Sequence, residues 1–211
     1  MNIKYDNLFF TILGKIMEVM YVGILWIIFS IPIVTIGASS TALYYTVHKV
    51  VFKNESYIFS TFTSSFKSNF KDATIKWGLG ISLIAFLSVD IIIVRSFAES
   101  GSIIAALIYP LLIILVFVVM CIFSVLSYSA RFDDSIKASI YKSAVLVANN
   151  LGWMIFLLII LFMALYIIRF LVFFTILLPG AYCCLIHYVF EHIYKKIGWI
   201  EEEKTKQRFS V

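Results

Sequence analysis

Three ionisable residues interrupt the long apolar stretches of this chain and are its strongest candidates for chemistry. Asp90 and Arg95 lie in the stretch from Trp77 to Ala98, and Arg169 lies in the stretch from Leu151 to Leu178. A charged group inside an apolar span is costly, so it marks a functional site by default. We interpret the three residues as an outward-facing polar pocket for an anionic or hydroxylated ligand. The alternative is an ion pair between helices together with one Arg that reaches the membrane surface.

A second candidate is a run of small and hydroxylated residues shortly after Pro32. A helix that begins at Ala38, after non-helical backbone, would point the positive end of its dipole at this corner. Transporters form substrate sites from broken helices in this way. The alternative is a tight packing corner, because small residues also allow helices to approach closely. The pocket hypothesis includes four residues of this run: Gly37, Ser39, Ser40 and Thr41.

The motifs that would indicate a metal site or an enzyme are missing from the sequence. His187 and Glu191 are four residues apart and share a helix face, but His192 does not lie on that face. No other cluster of ligand-type residues lies near them in the sequence, so we predict no metal site and no cofactor. Dinucleotide-binding, P-loop, zinc-protease and nucleophile-elbow motifs are also missing. We therefore predict that the protein is not an enzyme.

The elements that must position these residues are membrane-spanning helices. The sequence is 62% hydrophobic and 14% charged, and the whole stretch from Ile103 to Tyr128 carries no Lys, Arg, Asp or Glu. Crossing a hydrocarbon core of about 30 Å takes about 20 apolar residues at about 1.5 Å of rise per residue. A soluble protein of this size could not bury so much apolar surface. The composition therefore predicts a polytopic membrane protein.

We predict an all-α transmembrane helical bundle that forms a single membrane domain over residues 1–211. It has six membrane segments, of which the second is short or re-entrant, and two cytoplasmic amphipathic surface helices. Pro32 ends the first segment because it lacks a backbone donor and disfavours helix at the residue before it. The segments cover residues 12–31, 38–52, 75–97, 103–128, 151–170 and 174–194, the surface helices cover 57–71 and 135–148, and a polar tail covers 195–211.

The basic residues predict the orientation of the chain. Apart from Arg95 and Arg169, the Lys and Arg residues fall at the termini or in links that share one side of a six-crossing topology. With six crossings, the positive-inside rule places both termini in the cytoplasm of a bacterial cell, with the protein in the cell membrane. If the second segment is re-entrant instead, the N-terminus lies outside. The net charge of +5 is thus explained by contact with anionic lipid headgroups and not by nucleic acid.

The first surface helix carries aromatic residues at helical spacing, with two lysines off that face. We predict that this helix contacts the membrane surface through six residues: Phe59, Phe62, Phe66, Phe70, Lys67 and Lys71. The second surface helix has a similar pattern, and both lead through Asn or Asp to a Trp at the start of the next segment. A weak internal repeat and a chance likeness both explain this similarity.

Two motifs of this chain resemble those of the YesL family of bacterial membrane proteins, a domain of unknown function. They are SIPIVTIGASSTAL from Ser30 to Leu43 and FTSSFKSNFKDA from Phe62 to Ala73. Ile31 stands where the family often has Leu before the proline, and the likeness in length and segment order covers most of the chain. The resemblance implies an accessory role in carbohydrate uptake, with permease subunits as partners. It implies no catalytic or ligand-binding residues.

Three functions are therefore open at this point. The first is an integral membrane component that assists solute uptake through contacts with a permease. The second is a small transporter or channel, with the corner from Pro32 to Ala42 and Asp90 lining its path. The third is a membrane enzyme that acts on a lipid or a lipid-linked sugar. A polar cavity that reaches Asp90 and Arg169 would favour the second function, and a packed bundle would favour the first.

Overall fold

The protein is a bundle of seven α-helices over the residues that its structure, a computed structural model, describes. These residues are 4–54, 57–98, 106–168 and 174–200, and no β-strand lies among them. A 3₁₀ turn (Ile33–Thr35) precedes the second helix, and a π-helical segment (Val47–Phe52) continues it. The helices are α1 (Lys4–Phe29), α2 (Ile36–Thr46), α3 (Ile58–Ala98), α4 (Ile108–Ser129), α5 (Ile136–Asn149), α6 (Leu151–Ile168) and α7 (Phe174–Ile197).

Four of these helices are long and apolar enough to cross a membrane. They are α1 over Phe10–Phe29, α3 over Ile58–Ser96, α4 throughout and α7 over Thr175–Ile197. A fifth span is possible where α5 and α6 follow one another with a bend of 91°. The predicted class, an all-α membrane bundle, is therefore confirmed. The right angle between α5 and α6 fits the prediction that α5 lies along the surface while α6 enters the membrane.

The second predicted segment, residues 38–52, falls on α2 and the π-helical segment. It is not one of the described helices that are long and apolar enough to cross a membrane. Eight of the eleven residues of α2 are buried by the rest of the chain. Because its side chains face protein on most sides, α2 is an internal packing element of the bundle. The small residues that made the segment appear unusual are the reason that it fits there.

The first predicted surface helix differs from the structure in one respect. Residues 57–71 do not form a separate helix, because α3 runs without interruption for 41 residues from Ile58 to Ala98. No Gly or Pro lies between Ile58 and Trp77, so nothing in the sequence breaks the helix there. At about 1.5 Å per residue, α3 is about 60 Å long and roughly twice the thickness of a hydrocarbon core. One end of α3 must therefore extend beyond the membrane.

Helices α1 and α7 are held together by two glycines that let their backbones touch. A methyl group on Gly23 would lie 2.6 Å from the carbonyl oxygen of Ile176, and one on Gly180 would lie 2.2 Å from that of Val19. Both separations are far below a normal van der Waals contact. The close approach of these helices thus depends on the missing side chains, as is typical of helix pairs in membranes.

Candidate functional site

Four polar residues meet in the interior where the π-helical segment, the residues after α4, and α7 come together. We call them the histidine cluster: His48, Arg131, His187 and Glu191. His48 Nδ1 and His187 Nε2 are 2.7 Å apart, and each lies 3.8 Å from Glu191 Oε1. Both histidines are buried, with exposed fractions of 6% and 5%. This is the densest group of potential ligands or proton carriers in the described part of the chain.

The local structure of residues 44–52 explains why His48 reaches this position. Tyr44, His48 and Phe52 follow one another at intervals of four residues, and all three contact the ring of His187. The ring centroid of Phe52 lies 4.2 Å from that of His187 in a stacked arrangement, while those of Tyr44 and His48 lie 5.4 and 5.0 Å away. The segment that carries His48 and Phe52 is π-helical. Such turns are rare in proteins and often occur at functional sites.

Arg131 neutralises the carboxylate of the cluster. Its Nε donates to Glu191 Oε1 at 2.7 Å, and its Nη2 donates to Oε2 at 3.3 Å. Such a two-pronged pair fixes the orientation of the carboxylate. The hydrogen bond between the two imidazoles requires one nitrogen that carries no hydrogen, so at least one of these histidines is neutral. His187 Nδ1 and the hydroxyls of Tyr44 and Tyr194 are buried without a hydrogen-bond partner in the described residues.

A second polar group, around Lys76, connects three helices. Lys76 lies in α3 with only 3% of its surface exposed, and its Nζ forms an ion pair with Asp72. The same ammonium group donates to Ser129 Oγ at the end of α4 (2.7 Å) and to Ser139 Oγ in α5 (3.2 Å). These partners take up its hydrogen-bonding capacity. Lys76 therefore stabilises the junction of α3, α4 and α5 and offers no free group to a ligand.

A third polar group lies at the surface between α4 and α5. The carboxylate of Asp134 accepts hydrogen bonds from Lys142 Nζ at 2.8 Å and from the hydroxyl of Tyr128. The bond from Lys142, followed by that from Tyr128, lowers the pKa of Asp134, and the bond to Asp134 raises the pKa of Lys142. These residues line an open pocket of about 410 Å³ together with Arg131, Phe132, Asp133 and Trp199. Two acidic and two basic residues line this pocket; Asp134 pairs with Lys142, and Arg131 pairs with Glu191 of α7.

A further cavity, between the helices, is apolar. It has a volume of about 520 Å³ and is lined by residues of α1, α2, α3, α4, α6 and α7, none of which is charged. Ser40 is one of its few polar residues, and its Oγ accepts a hydrogen bond from Trp26 Nε1 at 3.1 Å. Another is Tyr182, whose hydroxyl donates to the carbonyl of Leu157 at 3.1 Å. The cavity suits an apolar molecule better than a sugar or an ion.

The four small residues of the predicted pocket mainly allow α2 to pack against its neighbouring helices. A methyl group on Gly37 would lie 2.5 Å from Trp77 Cβ, so this glycine permits the contact between α2 and α3. Thr41 is fully buried and donates to the carbonyl of Gly37 at 3.1 Å. Ser39 is also fully buried, and its hydroxyl has no hydrogen-bond partner in the described residues. Ser40 lines the cavity of about 520 Å³, and that cavity does not include Asp90.

The structure does not bring the three predicted charged residues together with this corner. Asp90 is half-buried in α3, and Arg95 is exposed one turn further along the helix. No ion pair or hydrogen bond to either side chain is formed among the described residues. Arg169 lies outside the described residues, so the alternative of an ion pair between helices, with Arg169 as the partner of Asp90 or Glu99, stays untested. The two predicted halves of the pocket, Asp90 and Ser40, do not line a common cavity in the part of the chain that is described.

Two of the phenylalanines predicted to contact the membrane surface pack inside the protein instead. Phe62 is fully buried, with its ring centroid 5.3 Å from that of Phe29, and the half-buried Phe66 lies 4.9 Å from the same ring. The prediction was wrong for Phe62 because the end of α1 covers this face of α3. Four of the predicted residues are exposed and remain free to contact headgroups: Phe59, Phe70, Lys67 and Lys71.

The histidine cluster is the feature that the sequence did not predict. The spacing of His187 and Glu191 was visible, but the reasoning that no other ligand-type residue lies near them was wrong. His48 is 139 residues away along the chain and Arg131 is 60 residues from Glu191, yet the fold places both in contact with α7. The interval of four residues from Tyr44 to His48 and Phe52 was the one local signal that these rings share a helix face.

Comparison with known proteins gives one match. No curated protein and no solved structure matches the chain. Residues 19–91 match a family described as "Protein of unknown function, DUF624". The matched part contains the small-residue run, His48 and Asp90, and it ends before Arg131, His187 and Glu191. Over residues 19–91, therefore, this helical membrane protein is similar to a family whose function is not known.

Proposed function

We propose that this protein is a non-catalytic component of a solute-uptake system and that it acts by binding a permease subunit within the membrane. The observation that carries the proposal is Asp90, an ionisable residue on a helix that its own bundle hardly covers. Only 6% of the residues in the most apolar stretch of α3 are buried by the rest of the chain. Phe86 and Ile93, one turn from Asp90 on either side, are 63% and 49% exposed.

The cost of a carboxylate that has no partner among the described residues supplies the driving force for such an interaction. An Asp at the centre of a membrane helix is unfavourable by roughly 2.5–3.5 kcal/mol on insertion scales. A partner helix that offers a basic or hydroxylated side chain would lower this cost by hydrogen bonding to Asp90. Each 1.4 kcal/mol corresponds to a tenfold change in affinity. Pairing at Asp90 is therefore worth up to about a hundredfold in the affinity for the partner.

The charged and apolar surfaces of the bundle favour this role over conduction. A polar solute needs hydrogen-bonding groups along its path, but the 520 Å³ cavity has no charged lining residue and does not reach Asp90. The charges of the histidine cluster and of the Lys76 group are paired within the protein. A small transporter, and more weakly an enzyme that acts on a lipid or a lipid-linked sugar, remain the alternatives.

The setting of this role comes from the sequence. The resemblance to the YesL family supports a carbohydrate as the solute and a bacterial cell membrane as the location. The Lys and Arg residues between α1 and α3, between α4 and α6, and after α7 support a cytoplasmic C-terminus and contact with anionic headgroups. Because residues 38–52 are not a span, the five crossings that this requires put the N-terminus on the other side. With that orientation the part of α3 before Trp77 extends from the membrane on the cytoplasmic side. The exposed Lys67 and Lys71 would then lie near the headgroups.

Co-purification from native membranes tests the proposal. The tagged protein is extracted in mild detergent from cells grown on different carbohydrates, and its partners are quantified by mass spectrometry. We expect a permease subunit with the wild type and a loss of about tenfold to a hundredfold with Asp90→Asn. Asp133→Asn is the matched control, because it makes the same change at an exposed position between α4 and α5. Retention of the permease by Asp90→Asn, or its absence from the wild type, would refute the role of Asp90.

Reconstitution distinguishes the transporter alternative. The purified protein is placed in lipid vesicles, and the uptake of labelled carbohydrates is measured without any other protein. The proposal predicts no uptake above that of empty vesicles. Uptake that requires this protein alone, and that Asp90→Asn reduces, would establish a transporter instead.

A further inference from the structure

We propose that His48, His187 and Glu191 form a binding site for a divalent transition-metal ion of the zinc type. The inference rests on the juxtaposition of two imidazole nitrogens and one carboxylate oxygen in the interior of the protein. These three ligand atoms lie within 4.8 Å of one another. The site is independent of Asp90 and of any contact with a permease. It goes beyond the proposed function because it assigns an inorganic ligand to the bundle itself.

The distances between the three atoms fit a bound zinc ion. The nitrogens are 2.7 Å apart and each is 3.8 Å from Glu191 Oε1. The point equidistant from all three atoms therefore lies about 2.0 Å from each, which matches Zn–N and Zn–O bond lengths of about 2.0–2.2 Å. In a tetrahedral site all ligand atoms lie about 3.3 Å apart, so the two nitrogens would have to separate by about 0.6 Å and Glu191 Oε1 would have to approach each of them by about 0.5 Å. Replacement of their hydrogen bond by two metal bonds provides that separation.

The chemistry of the ligands selects the class of ion. Imidazole nitrogens bind Zn²⁺, Ni²⁺, Cu²⁺ and Co²⁺, whereas Mg²⁺ and Ca²⁺ require a set of oxygen ligands that the cluster does not have. Several positive charges act on the two histidines and oppose the binding of a metal cation there. They belong to Arg131, Lys49, Lys53 and Lys195. Glu191 is the acidic ligand of the cluster, and Arg131 already pairs with it. The bonds to the imidazoles must therefore supply much of the affinity, which again excludes Mg²⁺ and Ca²⁺.

The surroundings of the cluster resemble the outer shell of a metal site. Arg131 holds both carboxylate oxygens of Glu191, and ligating carboxylates are usually fixed by such hydrogen bonds. Three protein ligands leave one position of a tetrahedral ion for water. The hydroxyls of Tyr44 and Tyr194 are buried without a hydrogen-bond partner in the described residues, and both interact electrostatically with Glu191. They are thus the polar groups available to such a water molecule.

The test measures the binding of Zn²⁺ to the full-length protein. The protein is purified in detergent with a histidine-free affinity tag, stripped with a chelator and titrated with Zn²⁺, while metal content is measured by mass spectrometry. We expect one Zn²⁺ per chain and no competition from excess Mg²⁺. His48→Gln and His187→Gln should each weaken binding at least a hundredfold. His192→Gln is the matched control, because His192 is exposed on α7 and lies outside the cluster.

Two further measurements separate lost binding from lost folding. The cluster is intact in the wild type and in His192→Gln. Bound Co²⁺ should therefore give the visible absorption of a four-coordinate site in both proteins. Zn²⁺ should also raise the melting temperature of the wild type, and Mg²⁺ should not. The proposal is overturned if stripped wild-type protein binds no Zn²⁺, or if His48→Gln and His187→Gln fold and bind it as tightly as the wild type. A loss that is equal in His192→Gln would overturn it as well.

Discussion

Replacement of Gly180 by alanine should separate α1 from α7 and destabilise the bundle. The added Cβ would lie 2.2 Å from the carbonyl oxygen of Val19 and 2.9 Å from its Cγ1, whereas ordinary contacts begin near 3.4 Å. The backbone of α1 would therefore have to move by about 1 Å. Overpacking of this kind costs about 1–3 kcal/mol. We expect the upper end of that range, because a carbonyl oxygen of the backbone cannot rotate away as a side chain can.

A matched control isolates the steric part of this effect. Gly152 in α6 has no atom within 4 Å of the position of a Cβ, so Gly152→Ala tests the helix preference alone. Alanine is favoured over glycine in a helix by about 1 kcal/mol, and this gain applies to both variants and cancels between them. The difference between the two variants should therefore be about 3 kcal/mol. Gly14→Ala in α1 is a second control, since Gly14 also has open space around it.

Thermal unfolding in detergent, followed by size-exclusion chromatography of heated samples, measures this difference. About 2–4 °C of melting temperature corresponds to 1 kcal/mol in a chain of this size, so Gly180→Ala should melt roughly 6–12 °C below Gly152→Ala. Equal melting temperatures for the two variants would refute the close contact of α1 with α7. A lower melting temperature for Gly152→Ala than for the wild type would refute the open space around Gly152.

Two further predictions concern the polar groups around Lys76 and Asp134. Lys76→Ala should destabilise the protein by about 2–3 kcal/mol in the same assay. The substitution removes the shared hydrogen-bond partner of Ser129, Ser139 and Asp72. Lys67→Ala, at an exposed position of α3, is the control and should have little effect. The hydrogen bond from Lys142 lowers the pKa of Asp134 in the folded protein. Their ion pair therefore stabilises the fold fully above the ordinary carboxyl pKa of about 4. This stabilisation is lost as the pH falls through the lower pKa that Asp134 has in the folded protein. The melting temperature of the wild type should therefore fall more between pH 5 and pH 3 than that of Asp134→Asn, and parallel curves would contradict this assignment.

Apolar periodicity predicted the positions of most helices but not their continuity. The helix predicted at 174–194 is α7 at Phe174–Ile197, and the one predicted at 135–148 is α5 at Ile136–Asn149. The two surface helices looked alike in sequence, yet one joins its membrane segment without a break and the other turns by 91°. The turn occurs at Asn150, whose backbone is not helical. Asn and Asp at these junctions did not reveal which of them would break a helix.

The candidate site could not be predicted because it is assembled from distant parts of the chain. The spacing of His187 and Glu191 defines one face of α7, but no feature of the neighbouring sequence indicates that the π-helical segment packs on that face. The small residues from Gly37 to Thr41 illustrate the same limit. Their composition was compatible with a ligand site and with a packing corner. Only the position of Trp77 against Gly37 distinguishes the two readings.

Photo-crosslinking in native membranes tests most directly whether α3 binds a permease. A photoreactive amino acid replaces Phe86 or Ile93, which flank Asp90 on α3, or Ile113 on α4, which is 71% exposed and serves as the control position. Binding of a permease by α3 predicts a crosslink to a permease subunit from positions 86 and 93 but not from 113, and its loss when Asp90 is also changed to Asn. Crosslinks to lipid alone from all three positions, or equal protein crosslinks that survive Asp90→Asn, would contradict it.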